Sequence, residues 1–100
     1  MKHNTEFVNV DKSDALEERI SAALNKIGAK YSWVTSAEVF IKLENDKTGK
    51  GKVCEMKLSL PGPQIFASSN SFSFETAVHD AQKELERQLK RIKEEKYSHH

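Results

Sequence analysis

The feature that most constrains this chain is the run from Phe74 to about Glu95, where Phe74, Val78, Ala81, Leu85, Leu89 and Ile92 fall on one side at helical spacing. A long amphipathic helix near the end of a 100-residue chain needs an apolar surface to lie on. The residues before it supply one. From Val34 to Glu44 the pattern alternates, with Ala37, Val39, Ile41 and Leu43 facing one way and Glu38, Lys42 and Glu44 the other. From Lys52 to Leu60 it alternates again, with Cys54, Met56, Leu58 and Leu60 inward and Glu55, Lys57 and Ser59 outward. The turn-forming segment 45–51, NDKTGKG, reads as the loop of a hairpin between them.

The remaining elements follow from local chemistry. Residues 4–10 are rich in β formers and predict an N-terminal strand. Asp14 and Glu17 have the spacing of a capping box, so a helix is expected from Asp14. Leu16, Ile20, Ala23, Leu24 and Ile27 form its buried stripe, and Gly28 stands where a left-handed cap would end it. Pro61, Gly62 and Pro63 predict a rigid turn, QIFAS a short fourth strand, the polar segment 68–73 a loop, and Ser73 the N-cap of the long helix. The expected fold is α+β, in the order β-α-β-β-β-α. A mostly antiparallel four-stranded sheet, read as a meander, carries both helices on one face and meets solvent on the other.

Composition narrows the function classes. Hydrophobic residues make up 37% and charged residues 31%, which fits one well-solvated domain, expected over residues 1–97. Residues 98–100 are expected to be a tail or the remnant of an expression tag. No apolar run approaches the roughly 20 residues needed to span a bilayer, and the first ten residues lack a secretory pattern. Cys54 is the single cysteine, which excludes an intramolecular disulfide and fits a reducing cytosol. His3 and His79 lack metal-ligand spacing, no serine lies in a nucleophile elbow, and TGKGK departs from a phosphate loop. No metal, cofactor, small-molecule substrate or catalytic residue is expected.

Net charge is +1, from 16 basic against 15 acidic side chains, so only the distribution of charge can speak for a partner. On the long helix Lys83, Arg87, Lys90 and Arg91 lie opposite the apolar stripe, with Lys93 toward one flank. Arg19 and Lys26 of the first helix share nearly one line, and Lys30 follows just beyond. Two neighbouring helices could present these groups as one positive surface suited to phosphates. The same pattern also fits ordinary solvated helix faces with Glu–Lys pairs. A second option is protein recognition by the outer sheet face, where Phe40, joined by Phe66, could meet a partner or stack bases.

The run Phe74, Glu75, Ala77, Val78, then Asp80, Ala81, Leu85, Glu86, Arg87, Gln88, Leu89 and a basic tail resembles the final helix of the ribosome hibernation promoting factor family. That family is also called ribosome-associated inhibitor A, protein Y or sigma-54 modulation protein. Asp14-Ala15-Leu16, the strand at Ala37-Glu38-Val39 and the element order extend the likeness over essentially the whole chain. The resemblance implies a double-stranded-RNA-binding-like fold that sits at the decoding region of the small ribosomal subunit. There it would contact 16S ribosomal RNA and block messenger and transfer RNA by occupancy, without catalysis. It implies Lys83, Arg87, Lys90, Arg91, Lys93, Arg19, Lys26 and Lys30 as RNA-binding candidates, Arg87 being the best matched. The chain resembles the short form of the family, for which ribosome dimerisation by the chain itself is not expected. It would be cytoplasmic, and a monomer off the ribosome.

Overall fold

The computed structural model describes residues 1–97, with the side chain of Tyr97 left aside; residues 98–100, expected as a tail or tag remnant, lie outside the described residues. The elements run β1 (Lys2–Val8), α1 (Asp14–Lys30), β2 (Ser36–Leu43), β3 (Lys52–Ser59), β4 (Gln64–Ser71) and α2 (Phe74–Tyr97). They form one four-stranded sheet in the order β1-β2-β3-β4. β2, β3 and β4 are antiparallel neighbours, whereas β1 pairs with β2 in parallel, so the meander is confined to the last three strands. The reason is the connection: α1 carries the chain back along the sheet, and a strand that follows such a crossover runs in the direction of the first. α2 lies on β3 and β4 and against α1.

The alternation in β2 and β3 turns out as expected, with Ala37, Val39, Ile41, Cys54, Met56 and Leu58 in the core beneath Ile20, Leu24, Ile27, Leu85 and Leu89. Leu43 departs from it: at the end of β2 it is 52% exposed, so the core stops at Ile41. Burial also pushes the Cys54 thiol up to about 12, which keeps it protonated at neutral pH, as an apolar core residue should be.

Four local expectations are corrected. β1 begins and ends two residues early, because its pairing with Ser36 to Lys42 starts at Lys2. Ser13, not Asp14, caps α1: its backbone is extended and its hydroxyl accepts from the Leu16 N–H at 3.2 Å, while Asp14 and Glu17 sit in the first turn, where the helix dipole favours acids. Gly28 lies inside α1, which continues to Lys30 and closes with the Tyr31 N–H on the Ile27 carbonyl at 2.8 Å. A Cβ at Gly28 would come within 3.2 Å of Met1 Cε, the tip of a flexible, exposed side chain. Finally, Ser68–Ser71 belong to β4, which makes it as long as its neighbours. Asn70 explains why so polar a segment stays in the sheet: it accepts from the Gly51 N–H at 2.7 Å and donates to Asp46 at 2.9 Å, tying β4 to the hairpin loop.

That loop is built, not slack. Asp46 accepts from the Thr48 N–H and hydroxyl at 2.9 and 2.7 Å. Gly51 has φ of 121° and leaves only 2.2 Å between a hypothetical Cβ and the Glu44 carbonyl, so no other residue fits. Ser73 caps α2 as expected, accepting from the Thr76 N–H at 3.1 Å.

Candidate nucleic-acid interface

Every basic residue singled out in the sequence is exposed, and all lie on the helical layer or at its edge. Arg19 and Lys26 of α1 line a shallow groove with Glu75, His79 and Gln82 of α2. Farther along, the Lys30 ammonium lies 5.6 Å and the Lys93 ammonium 6.0 Å from the centre of the Tyr31 ring. The early parts of both helices are therefore neighbours, and so are their later parts, which means that α1 and α2 run side by side in the same direction.

The Tyr31 contacts decide how the two sets of cations meet. Tyr31 is only 2% exposed, and its ring edge packs on Trp33 at 5.8 Å and 80°. An aromatic ring attracts an ammonium through its negative face, so one fixed side chain draws in a lysine from each helix. Tyr31 and Trp33 lie outside any periodic segment, and sequence reasoning passes over them; the signal available was two aromatic residues directly after the last lysine of α1.

At about 100° per residue, Lys83, Lys90 and Lys93 lean toward α1, whereas Arg87 and Arg91 lean toward β4. The ridge is thus two rows. The row toward α1, with Arg19, Lys26 and Lys30, makes a basic seam that Glu75 interrupts in the groove and that closes at Tyr31, where Lys30 and Lys93 meet. The row toward β4 is partly neutralised: Arg87 is held by Glu84 through two guanidinium contacts, with Nε at 3.3 Å. Gln88 fixes that carboxylate further, donating to Glu84 at 3.1 Å and to the Phe66 carbonyl at 3.0 Å. The hydrogen bond from Arg87, then that from Gln88, hold the Glu84 carboxyl below its ordinary pKa. Among the described residues, Arg87 is the one candidate in an ion pair.

The outer sheet face differs. Lys42 meets Glu55 at 2.8 Å and Lys57 meets Glu38 at 3.5 Å, and the hydrogen bond to Glu55 raises the Lys42 pKa. Phe40 is half-buried with Lys42 5.9 Å from its ring, and Phe66 is 52% exposed, but they stand on β2 and β4 with β3 between them. Tyr31–Trp33 is the only aromatic pair among the described residues, so the outer face carries no continuous stacking platform. TGKGK lies in the hairpin loop, where Asn70 and Asp46 account for its conformation. Among the described residues no group of His, Cys, Asp and Glu could hold a metal ion, and no helix is long and apolar enough to cross a membrane.

Residues 3–97 match the family model described as sigma 54 modulation protein / S30EA ribosomal protein. The chain belongs to this family. Ribosome association is thereby its family trait. Among solved structures, a ribosomal subunit interface protein from Coxiella burnetii is 25% identical, with a TM-score of 0.80 over 93% of this chain and 98% of that one. The N-terminal domain of Thermus thermophilus protein Y is 22% identical, with a TM-score of 0.77 over 92% of this chain and 99% of that one, and it shares the fold. No curated protein sequence matches the chain.

Proposed function

We propose that this chain is a ribosome hibernation factor that binds the small ribosomal subunit at the decoding region and inhibits translation by occupying the place of messenger and transfer RNA. The observation that carries the reading is the basic seam: Arg19, Lys26, Lys30, Lys83, Lys90 and Lys93, all exposed and without acidic partners among the described residues, are gathered along two parallel helices. Such a row can follow a ribose-phosphate backbone of 16S ribosomal RNA, each neutralised phosphate releasing counterions. Arg87 and Arg91 form a second, weaker row, available once Glu84 yields Arg87. Inhibition needs no chemistry, only a rigid body of the right charge in a functional site, and the packed sheet beneath the helices provides that rigidity.

The experiment is co-sedimentation with separated small and large subunits across a salt series, with and without messenger RNA and initiator transfer RNA. The expected result is salt-sensitive binding to the small subunit alone, reduced when the RNA ligands are bound first. Binding that is indifferent to salt, or equal on both subunits, would refute the reading. The protein-interaction alternative on the outer face expects Phe40→Ala to abolish binding with little salt dependence.

A further inference from the structure

A cleft at the far end of the helical layer shares only Lys93 with the seam. Its walls are Trp33, Pro61, Pro63 and Ile92, Lys93 and Lys96 stand at its rim, and its volume is about 120 Å³. That volume is below the roughly 300–1,000 Å³ of drug-sized ligand sites, so the cleft has room for one ring system and no more. The walls are rigid for identifiable reasons. Trp33 is half-buried and braced edge-on by the buried Tyr31. The proline turn is closed by the Leu60 N–H on the Pro63 carbonyl at 3.1 Å, with Gly62 at φ 102°. Apolar walls that include one indole, with two ammonium groups and no acid among the lining residues, match a ligand that is aromatic at one end and anionic at the other.

Lys93 identifies which ligand. It belongs both to the cleft rim and to the Tyr31 contact that joins Lys30 to the long helix, so the cleft opens directly from the basic seam. A polyanion following the seam reaches the cleft without leaving positive surface. We infer that the Trp33 cleft receives one unstacked nucleobase of a single-stranded or bulged RNA segment, the base lying against Trp33 and its flanking phosphates on Lys93 and Lys96. This rests on the RNA-binding reading and adds to it a requirement for an unpaired base, which phosphate contacts alone do not impose. A duplex keeps its bases stacked inside and cannot fill the cleft.

Trp33 is the single tryptophan, so its emission reports on the cleft alone. The full chain is titrated at low salt with heptauridylate, with an abasic ribose-phosphate oligomer of equal length, and with a blunt RNA duplex. The expected result is saturable quenching by heptauridylate and little change with the other two. In parallel, Trp33→Leu should weaken labelled heptauridylate about tenfold and leave duplex affinity unchanged. Lys96→Glu, an exposed rim change that keeps the reporter, should weaken quenching without loss of fold. Equal quenching by the abasic oligomer overturns the inference. So does absence of quenching by all three while small-subunit binding persists, a result that leaves the hibernation reading standing. An emission change on small subunits but with neither the RNA oligomers nor deproteinised 16S ribosomal RNA assigns the cleft to a protein side chain, and a change with protein concentration alone assigns it to a second copy; either overturns the inference. Loss of binding to both subunits and oligomers instead refutes the reading on which it rests.

Discussion

The two faces of this protein use the same charged residues to opposite ends. On the open sheet face, antiparallel register sets Lys57 directly across from Glu38, and Lys42 reaches Glu55, so the cations are consumed by neighbours on the next strand. On the helical layer, Lys90 and Lys93 are separated by one turn, and Lys30 approaches from the other helix; like charges are gathered there, and none of the three is in an ion pair among the described residues. A chain of net charge +1 can therefore present a cationic face. The helices carry nine of the fifteen acids as well, so what matters is that none of those nine pairs with a lysine of the seam among the described residues.

The contrast can be broken most directly at the core. Leu85→Ala, beneath α2, should destabilise by about 2–5 kcal/mol in urea unfolding, whereas Phe66→Ala on the open face should cost under about 1 kcal/mol. A comparable loss at Phe66 would mean that the outer face is packed. Next in size, Lys90→Glu with Lys93→Glu should lower small-subunit affinity by about tenfold or more and flatten the salt slope by roughly 1–2, while Lys42→Glu with Lys57→Glu changes affinity by less than about threefold. Equal effects in the sedimentation assay would erase the difference between the faces.

Smaller still is the effect of Glu84→Gln, which removes the carboxylate holding Arg87 and should tighten small-subunit binding by about twofold to fivefold; no gain would place Arg87 outside the interface. The smallest effect is confined to the hairpin loop. Hydrogen bonds from Thr48, first its hydroxyl and then its N–H, with a further one from Asn70, hold the Asp46 carboxyl below its ordinary pKa. A depressed carboxylate contributes order that is fully present above its unfolded pKa and lost as pH falls through the folded one. Acid titration by NMR should therefore shift the Thr48 and Gly51 amides while those at the centre of β2 hold still. Simultaneous movement of both would show that the loop is not a separate unit.

The sequence legibly encodes whatever depends on near neighbours. Alternation fixed the inward faces of β2 and β3, the helical period fixed the buried stripes of both helices, and Ser73 marked the start of α2. The outward direction of Lys83, Arg87, Lys90 and Arg91 followed from the same wheel. At the start of α1 two local signals competed and the Ser13 hydroxyl took the cap, whereas in β4 a contact from elsewhere chose, Asn70 holding a serine-rich segment in the sheet. The parallel seating of β1 likewise depends on the path of α1.

Partnership across elements was decided by the tertiary structure alone. Spacing along α2 placed Arg87 and Lys93 on one broad ridge, yet Arg87 pairs with Glu84 one turn back on the same helix, and only packing brought Lys93 to Tyr31. The Trp33 cleft is assembled from a loop, a proline turn and the last turns of a helix, which share no periodicity. The physical reason is one of range. Backbone geometry repeats over a few residues and can be read along the chain, whereas the few ångströms separating a cation from an acid or a ring depend on how whole elements pack together.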